Sequence, residues 1–211
     1  MARQTTPEAE ATRDLAALRP LILRLHDLGA VKFGQFTLAS GRTSPIYIDL
    51  RLLVSDAGAL RLAAQAYVDR LQGLTYDRLA GVPYGALPIA TVIGQLLGQP
   101  VVYPRKEVKQ HGLGRAIEGG YAAGERAVII EDLITSGGSV LEAAETLRGA
   151  GLQVSDAVVL IDREQGGVAN LAAAGITAHA VMRLGEILTV LTAAERITGE
   201  EAATVRAYLA H

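Results

Sequence analysis

The run Val128-Ile129-Ile130-Glu131-Asp132-Leu133-Ile134-Thr135-Ser136-Gly137-Gly138-Ser139-Val140 constrains this chain more than any other stretch. Residues 127–130 are short, largely β-branched and apolar at every position, which suits a strand buried on both faces and so a parallel sheet covered by helices. Glu131 and Asp132 then fall at that strand's carboxyl end, the edge where open parallel sheets bind ligands. Residues 141–147 combine helix formers with apolar spacing, so a helix is expected to begin near Ser139. Loop 135–139 would lie on its amino end. There, free backbone N–H groups and the positive end of the helix dipole attract an anion, and Gly137 and Gly138 permit close backbone approach. Thr135, Ser136 and Ser139 add hydroxyl donors, while the two carboxylates suit a vicinal diol or a hydrated divalent cation. Acid pair plus anion loop points to a ribose phosphate. For a strand–loop–helix taken alone, ordinary loop acids beside an N-cap remain the alternative.

A length of 211 residues fits one α/β domain, with a hood over 1–55 and a core over 56–211. Twenty basic against twenty-two acidic side chains leave no bulk electrostatic case for nucleic acid or anionic membrane. The absence of cysteine excludes disulfides and thiolate chemistry, and no apolar run has signal-peptide or spanning character. A soluble, cytoplasmic protein is expected.

Residues 7–28 carry an apolar face of Leu15, Leu18, Leu21, Ile22, Leu25 and Leu28 and predict a helix ended by Gly29. Two extended segments follow, 31–41 and 44–51, read as an antiparallel hairpin outside the main sheet. A second amphipathic helix is expected over 57–73. The stretch 79–88 then reads as strand, tight loop and helix, and the loop with Tyr84, Gly85 and Ala86 is either a second strand-end site or a plain βα turn. Beyond a strand near 100–103, Arg105, Lys106, Lys109 and His111 crowd a glycine-containing loop. A solvated surface loop is one reading; a cluster that neutralises a departing anion is the other. A further buried strand, 154–161, ends in Asp162-Arg163-Glu164-Gln165-Gly166-Gly167, where Arg163 either pairs with a neighbouring acid or waits for a ligand carboxylate. A strand over 176–181 and helices over 184–191 and 200–209 read as packing.

The 128–140 run resembles the phosphoribosyl pyrophosphate (PRPP) signature of type I phosphoribosyltransferases. Phe-Thr-Leu-Ala-Ser-Gly with Ser-Pro-Ile-Tyr-Ile-Asp-Leu-Arg, and Arg-Lys-x-x-Lys-x-His-Gly, resemble the hood and loop of orotate phosphoribosyltransferases. Val-Val-Leu-Ile-Asp-Arg-Glu-Gln-Gly-Gly is similar to the transferase half of bifunctional uridine monophosphate synthases, whose decarboxylase barrel is not expected in 211 residues. The resemblance implies an α/β fold with a central, mainly parallel sheet flanked by helices and a small N-terminal hood containing the hairpin. It implies transfer of the phosphoribosyl group from PRPP to orotate with Mg²⁺, the metal being bound through substrate and water without a protein cage. By the same resemblance Glu131, Asp132, Leu133, Ile134, Thr135, Ser136, Gly137, Gly138, Ser139, Tyr84 and Gly85 bind PRPP. Thr135 and Arg163 bind orotate, and Arg105, Lys106, Lys109 and His111 act on the pyrophosphate. A homodimer sharing that loop across subunits is implied as well. Some family members carry lysine where Ala39 and Gly85 stand here. A transferase for another base and a non-catalytic PRPP-binding regulator are the rival readings; Arg163 and the hood oppose the first, the cationic loop the second.

Overall fold

Unalternated apolar runs along the central strands set the architecture. In the computed structural model, which describes residues 15–37, 41, 43–106 and 116–209, a six-stranded sheet runs in the order β5-β4-β3-β6-β7-β8. Its strands are β3 (Arg78–Gly81), β4 (Val101–Pro104), β5 (Ile117–Glu118), β6 (Arg126–Ile134), β7 (Gln153–Asp162) and β8 (Thr177–Arg183). All neighbours pair in parallel except β5, which pairs antiparallel with β4 at the edge. β6 and β7 lie in the interior of the sheet and are apolar on both faces, as the unalternated run requires.

A separate two-stranded sheet, β1 (Val31–Thr37) with β2 (Thr43–Ile48), forms the hairpin expected outside the main sheet. The second strand is shorter than the extended 44–51 segment, because Leu50–Ser55 turns into a 3₁₀ helix. Asp49 starts that turn, its side chain accepting from the Arg51 amide.

Helix α1 (Leu15–Asp27) is seen within the expected span; residues 1–14 lie outside the described region. Helices α2 (Ala57–Leu71), α3 (Ala86–Leu97), α4 (Gly138–Gly149), α5 (Gly167–Ala173), α6 (Leu184–Ala193) and α7 (Gly199–Leu209) complete the chain. The sheet divides the apolar interior in two. The larger cluster joins the hairpin, α1, α2, α3, α6 and α7 around Val128, Ile130, Val158 and Leu160. The smaller one lies under α4 and α5, around Ile129, Val159, Leu147 and Leu171. β6 continues through the acid pair to Ile134, four residues past the expected end. β7 supplies the reason: Leu133 and Ile134 pair with Ile161 and Asp162.

Candidate active site

Because successive strand residues face opposite ways, Glu131 and Asp132 leave β6 toward different helices. Glu131, 4% exposed, reaches the start of α4, where its Oε2 accepts from Ser139 Oγ at 2.6 Å and its Oε1 from the Asp132 amide at 2.9 Å. Burial, reinforced by the neighbouring Asp132 charge, pushes its carboxyl up to about 8. Half-buried Asp132 faces the start of α3, beside Gly85. Glu131 is also held through its backbone: the wholly buried Tyr67 of α2 donates from its hydroxyl to the Glu131 carbonyl at 2.6 Å. Tyr67 holds its proton well above the usual phenol range, chiefly through burial and then through the charges of Asp132 and Glu131.

Loop 135–139 closes into α4 through Gly137, whose φ of +85° puts it in the left-handed region that glycine tolerates. Helix α5 braces this loop from outside. The Asn170 side chain donates to the Ser136 carbonyl at 3.0 Å, and Gly167 packs so tightly that a Cβ there would stand 2.5 Å from the Thr135 carbonyl oxygen.

Arg163 follows the end of β7 and joins the same loop through its amide, which donates to the Ile134 carbonyl at 3.0 Å. Its flanking acids are committed elsewhere. Asp162 accepts from the Glu164 amide at 2.8 Å, and Glu164, in the left-handed region at φ +60°, accepts from the Gly185 amide at 2.7 Å. Neither side chain therefore neutralises Arg163. Its Nε and Nη2 are buried without a hydrogen-bond partner among the described residues, and burial lowers the guanidinium's proton affinity. A partly desolvated fork of this kind has the geometry to take a planar carboxylate.

At the end of β4, Lys106 places its ammonium 4.9 Å from the centre of the exposed Tyr84 ring, within cation–π reach. Arg105 is ion-paired with Glu118 of β5. Both cations share a cleft of about 640 Å³ with Pro83, Gly138 and Ser139, so strand β4 and the anion loop open onto one space. Lys109, His111 and Ala39 lie outside the described residues. Sequence reasoning missed Tyr67, whose partner lies 64 residues away, and α5 with Asn170; only the polarity of Asn170 within 167–173 hinted at a role.

A mainly parallel sheet whose edge carries an acid pair, an anion loop at a helix start and a cationic strand end is that of a type I phosphoribosyltransferase. The phosphoribosyl transferase domain family matches residues 55–177. The chain is 46% identical over 184 residues to the bifunctional enzyme PyrF/PyrE of Nostoc, covering 87% of this chain and 39% of that protein. It is 40% identical over 191 residues to orotate phosphoribosyltransferase of Pyrobaculum islandicum, covering 90% of this chain and 98% of that one. The solved UMP synthase of Leishmania donovani superposes with a TM-score of 0.85 at 44% identity, over 93% of this chain and 43% of that one. The chain thus belongs to the orotate phosphoribosyltransferase family, and it spans about two fifths of the bifunctional relatives it matches.

Proposed function

We propose that this chain transfers the 5-phosphoribosyl group of PRPP to N1 of orotate, giving orotidine 5′-monophosphate and pyrophosphate in pyrimidine biosynthesis. The observation that carries the choice of base is the Arg163 guanidinium, whose buried Nε and Nη2 have no hydrogen-bond partner among the described residues and whose backbone amide is tied to the end of the strand that leads into loop 135–139. Orotate has a carboxylate to fill it; uracil, adenine and hypoxanthine do not.

In this reading the C1′–oxygen bond to pyrophosphate breaks with its electron pair leaving on the pyrophosphate, while N1 of orotate forms the new bond to C1′ and its proton passes to the departing pyrophosphate or to water. No protein nucleophile is needed. The protein orients two substrates and stabilises charge where it develops. Loop 135–139 holds the 5-phosphate, Asp132 and Glu131 face the ribose hydroxyls, Thr135 and Arg163 hold orotate, and Tyr84 and Gly85 flank the pyrophosphate. Lys106 with Arg105, Lys109 and His111 neutralises the leaving group as water is excluded. Arg105 must exchange its Glu118 partner to do so, a modest cost for an exposed pair.

Mg²⁺, when bound, would neutralise the pyrophosphate oxygens. Asp132, the more exposed carboxylate of the pair, fits a water-mediated contact to it better than buried Glu131. A cytoplasmic homodimer with loop 105–115 shared between subunits completes the proposal. No described helix is long and apolar enough to cross a membrane.

The test is the fall in orotate absorbance when the protein, PRPP and Mg²⁺ are mixed, with uracil, adenine and hypoxanthine followed in parallel by pyrophosphate release. Orotate-dependent turnover with the other bases inert is expected. Turnover with another base would overturn the role of Arg163; PRPP binding without any turnover would make the chain a sensor of PRPP.

A further inference from the structure

Two peptide units of the anion loop turn their carbonyl oxygens toward α5. The Thr135 oxygen lies against Gly167, so closely that only glycine fits, and the Ser136 oxygen accepts from Asn170 Nδ2 at 3.0 Å. In a planar trans peptide the carbonyl of one residue and the N–H of the next point in opposite directions. A carbonyl drawn outward onto α5 therefore aims the following amide inward. The Ser136–Gly137 unit governs the Gly137 amide, which opens the turn into α4, where a helix leaves its first N–H groups without partners of its own. A loop containing two adjacent glycines has little intrinsic preference for that orientation. Something outside the loop has to impose it.

We propose that Asn170 is a positioning residue for PRPP: its side-chain amide locks the Ser136–Gly137 peptide so that the Gly137 N–H faces the 5-phosphate. The inference rests on the reading of loop 135–139 as the phosphate site. Asn170 touches no substrate in this scheme. It acts on the exposed outer side of the loop, through one hydrogen bond to the main chain. The same helix begins just after Arg163-Glu164-Gln165-Gly166, so its placement sets phosphate loop and carboxylate arm against each other without either touching the other's ligand.

The chemistry separates Asn170 from a residue that merely stabilises α5. Asn170→Ala removes the donor and leaves the Ser136 carbonyl to water. Asn170→Asp keeps the size but puts a carboxylate against a carbonyl oxygen, which drives the peptide to rotate and presents its oxygen to the phosphate. Being exposed, Asn170 tolerates both changes without loss of fold. Steady-state rates should give a KM for PRPP raised about fivefold in Asn170→Ala and about twentyfold in Asn170→Asp, with kcat and the KM for orotate within about twofold of wild type. Inhibition by ribose 5-phosphate should weaken in parallel with the PRPP effect, and inhibition by pyrophosphate should not. Asn170→Gln, with the amide one methylene further out, should recover part of the loss. A PRPP KM unchanged in Asn170→Asp overturns the proposal, as do equal rises for both substrates that follow a lowered Tm. Wild-type protein that fails to bind PRPP in calorimetry overturns both this inference and the phosphate-site reading; wild-type binding with an indifferent Asn170→Asp overturns this inference alone.

Discussion

A Cβ on Gly85 would lie 2.0 Å from Oδ2 of Asp132. The obstacle is the tip of a side chain, so a larger residue would displace the carboxylate and leave the backbone in place. Gly85→Ala should therefore raise the KM for PRPP about tenfold while shifting Tm by no more than a few degrees. Initial rates and a thermal melt measure both, and an unchanged KM would remove Asp132 from the ribose.

In the proposed reading, Arg163 carries a stability cost that the orotate carboxylate relieves. Burying guanidinium nitrogens without partners is unfavourable, and Met matches the apolar stem. Arg163→Met should raise Tm of the ligand-free protein slightly, cut kcat/KM for orotate at least about 100-fold and leave PRPP binding intact. Thermal melts with calorimetric PRPP titration read these effects together. A lowered Tm would mean that the guanidinium is satisfied within the protein.

Tyr67→Phe keeps the ring and removes the hydroxyl that holds the Glu131 carbonyl. Leaving that buried carbonyl without its donor should cost about 1–3 kcal/mol of unfolding free energy in urea titration. The KM for PRPP should rise with it. Leu71→Ala, a core change on the same helix, should lower stability without that rise.

Glu131 makes stability depend on pH in a defined direction. Its folded carboxyl titrates at about 8, against about 4.3 in an unfolded chain. Below the unfolded value both states are protonated and the full stability is present. As pH rises from there through about 8, the unfolded state has shed a proton that the folded state still holds, so stability falls and then levels off. Wild-type Tm should thus decline between pH 5 and 8.5 more steeply than that of Glu131→Gln. Parallel curves would mean that burial does not shift this group.

How far the chain could be read in advance follows from the range of each signal. The acid pair, loop 135–139 and α4 are contiguous, and the strand–loop–helix they form was legible as one string. The extension of β6 to Ile134 was not, because its pairing partners sit on β7. Arg163 was visible as a candidate, yet its freedom from Asp162 and Glu164 depends on a left-handed Glu164 and on the Gly185 amide, neither evident from neighbours in sequence. Helix α5 is seven residues long and opens on Gly167 after Gly166, a beginning that reads as a loop. Its contacts with loop 135–139 appear only in three dimensions.

The unequal division of the interior has a consequence for motion. The α4–α5 layer rests on the smaller apolar cluster, so it is expected to be among the first parts of the fold to open. Amide hydrogens of that layer should exchange ahead of those in α2, α3 and α6. In the proposed reading, a substrate phosphate seated at the start of α4 would tie this layer to the end of β6, so its amide exchange should slow when PRPP is added.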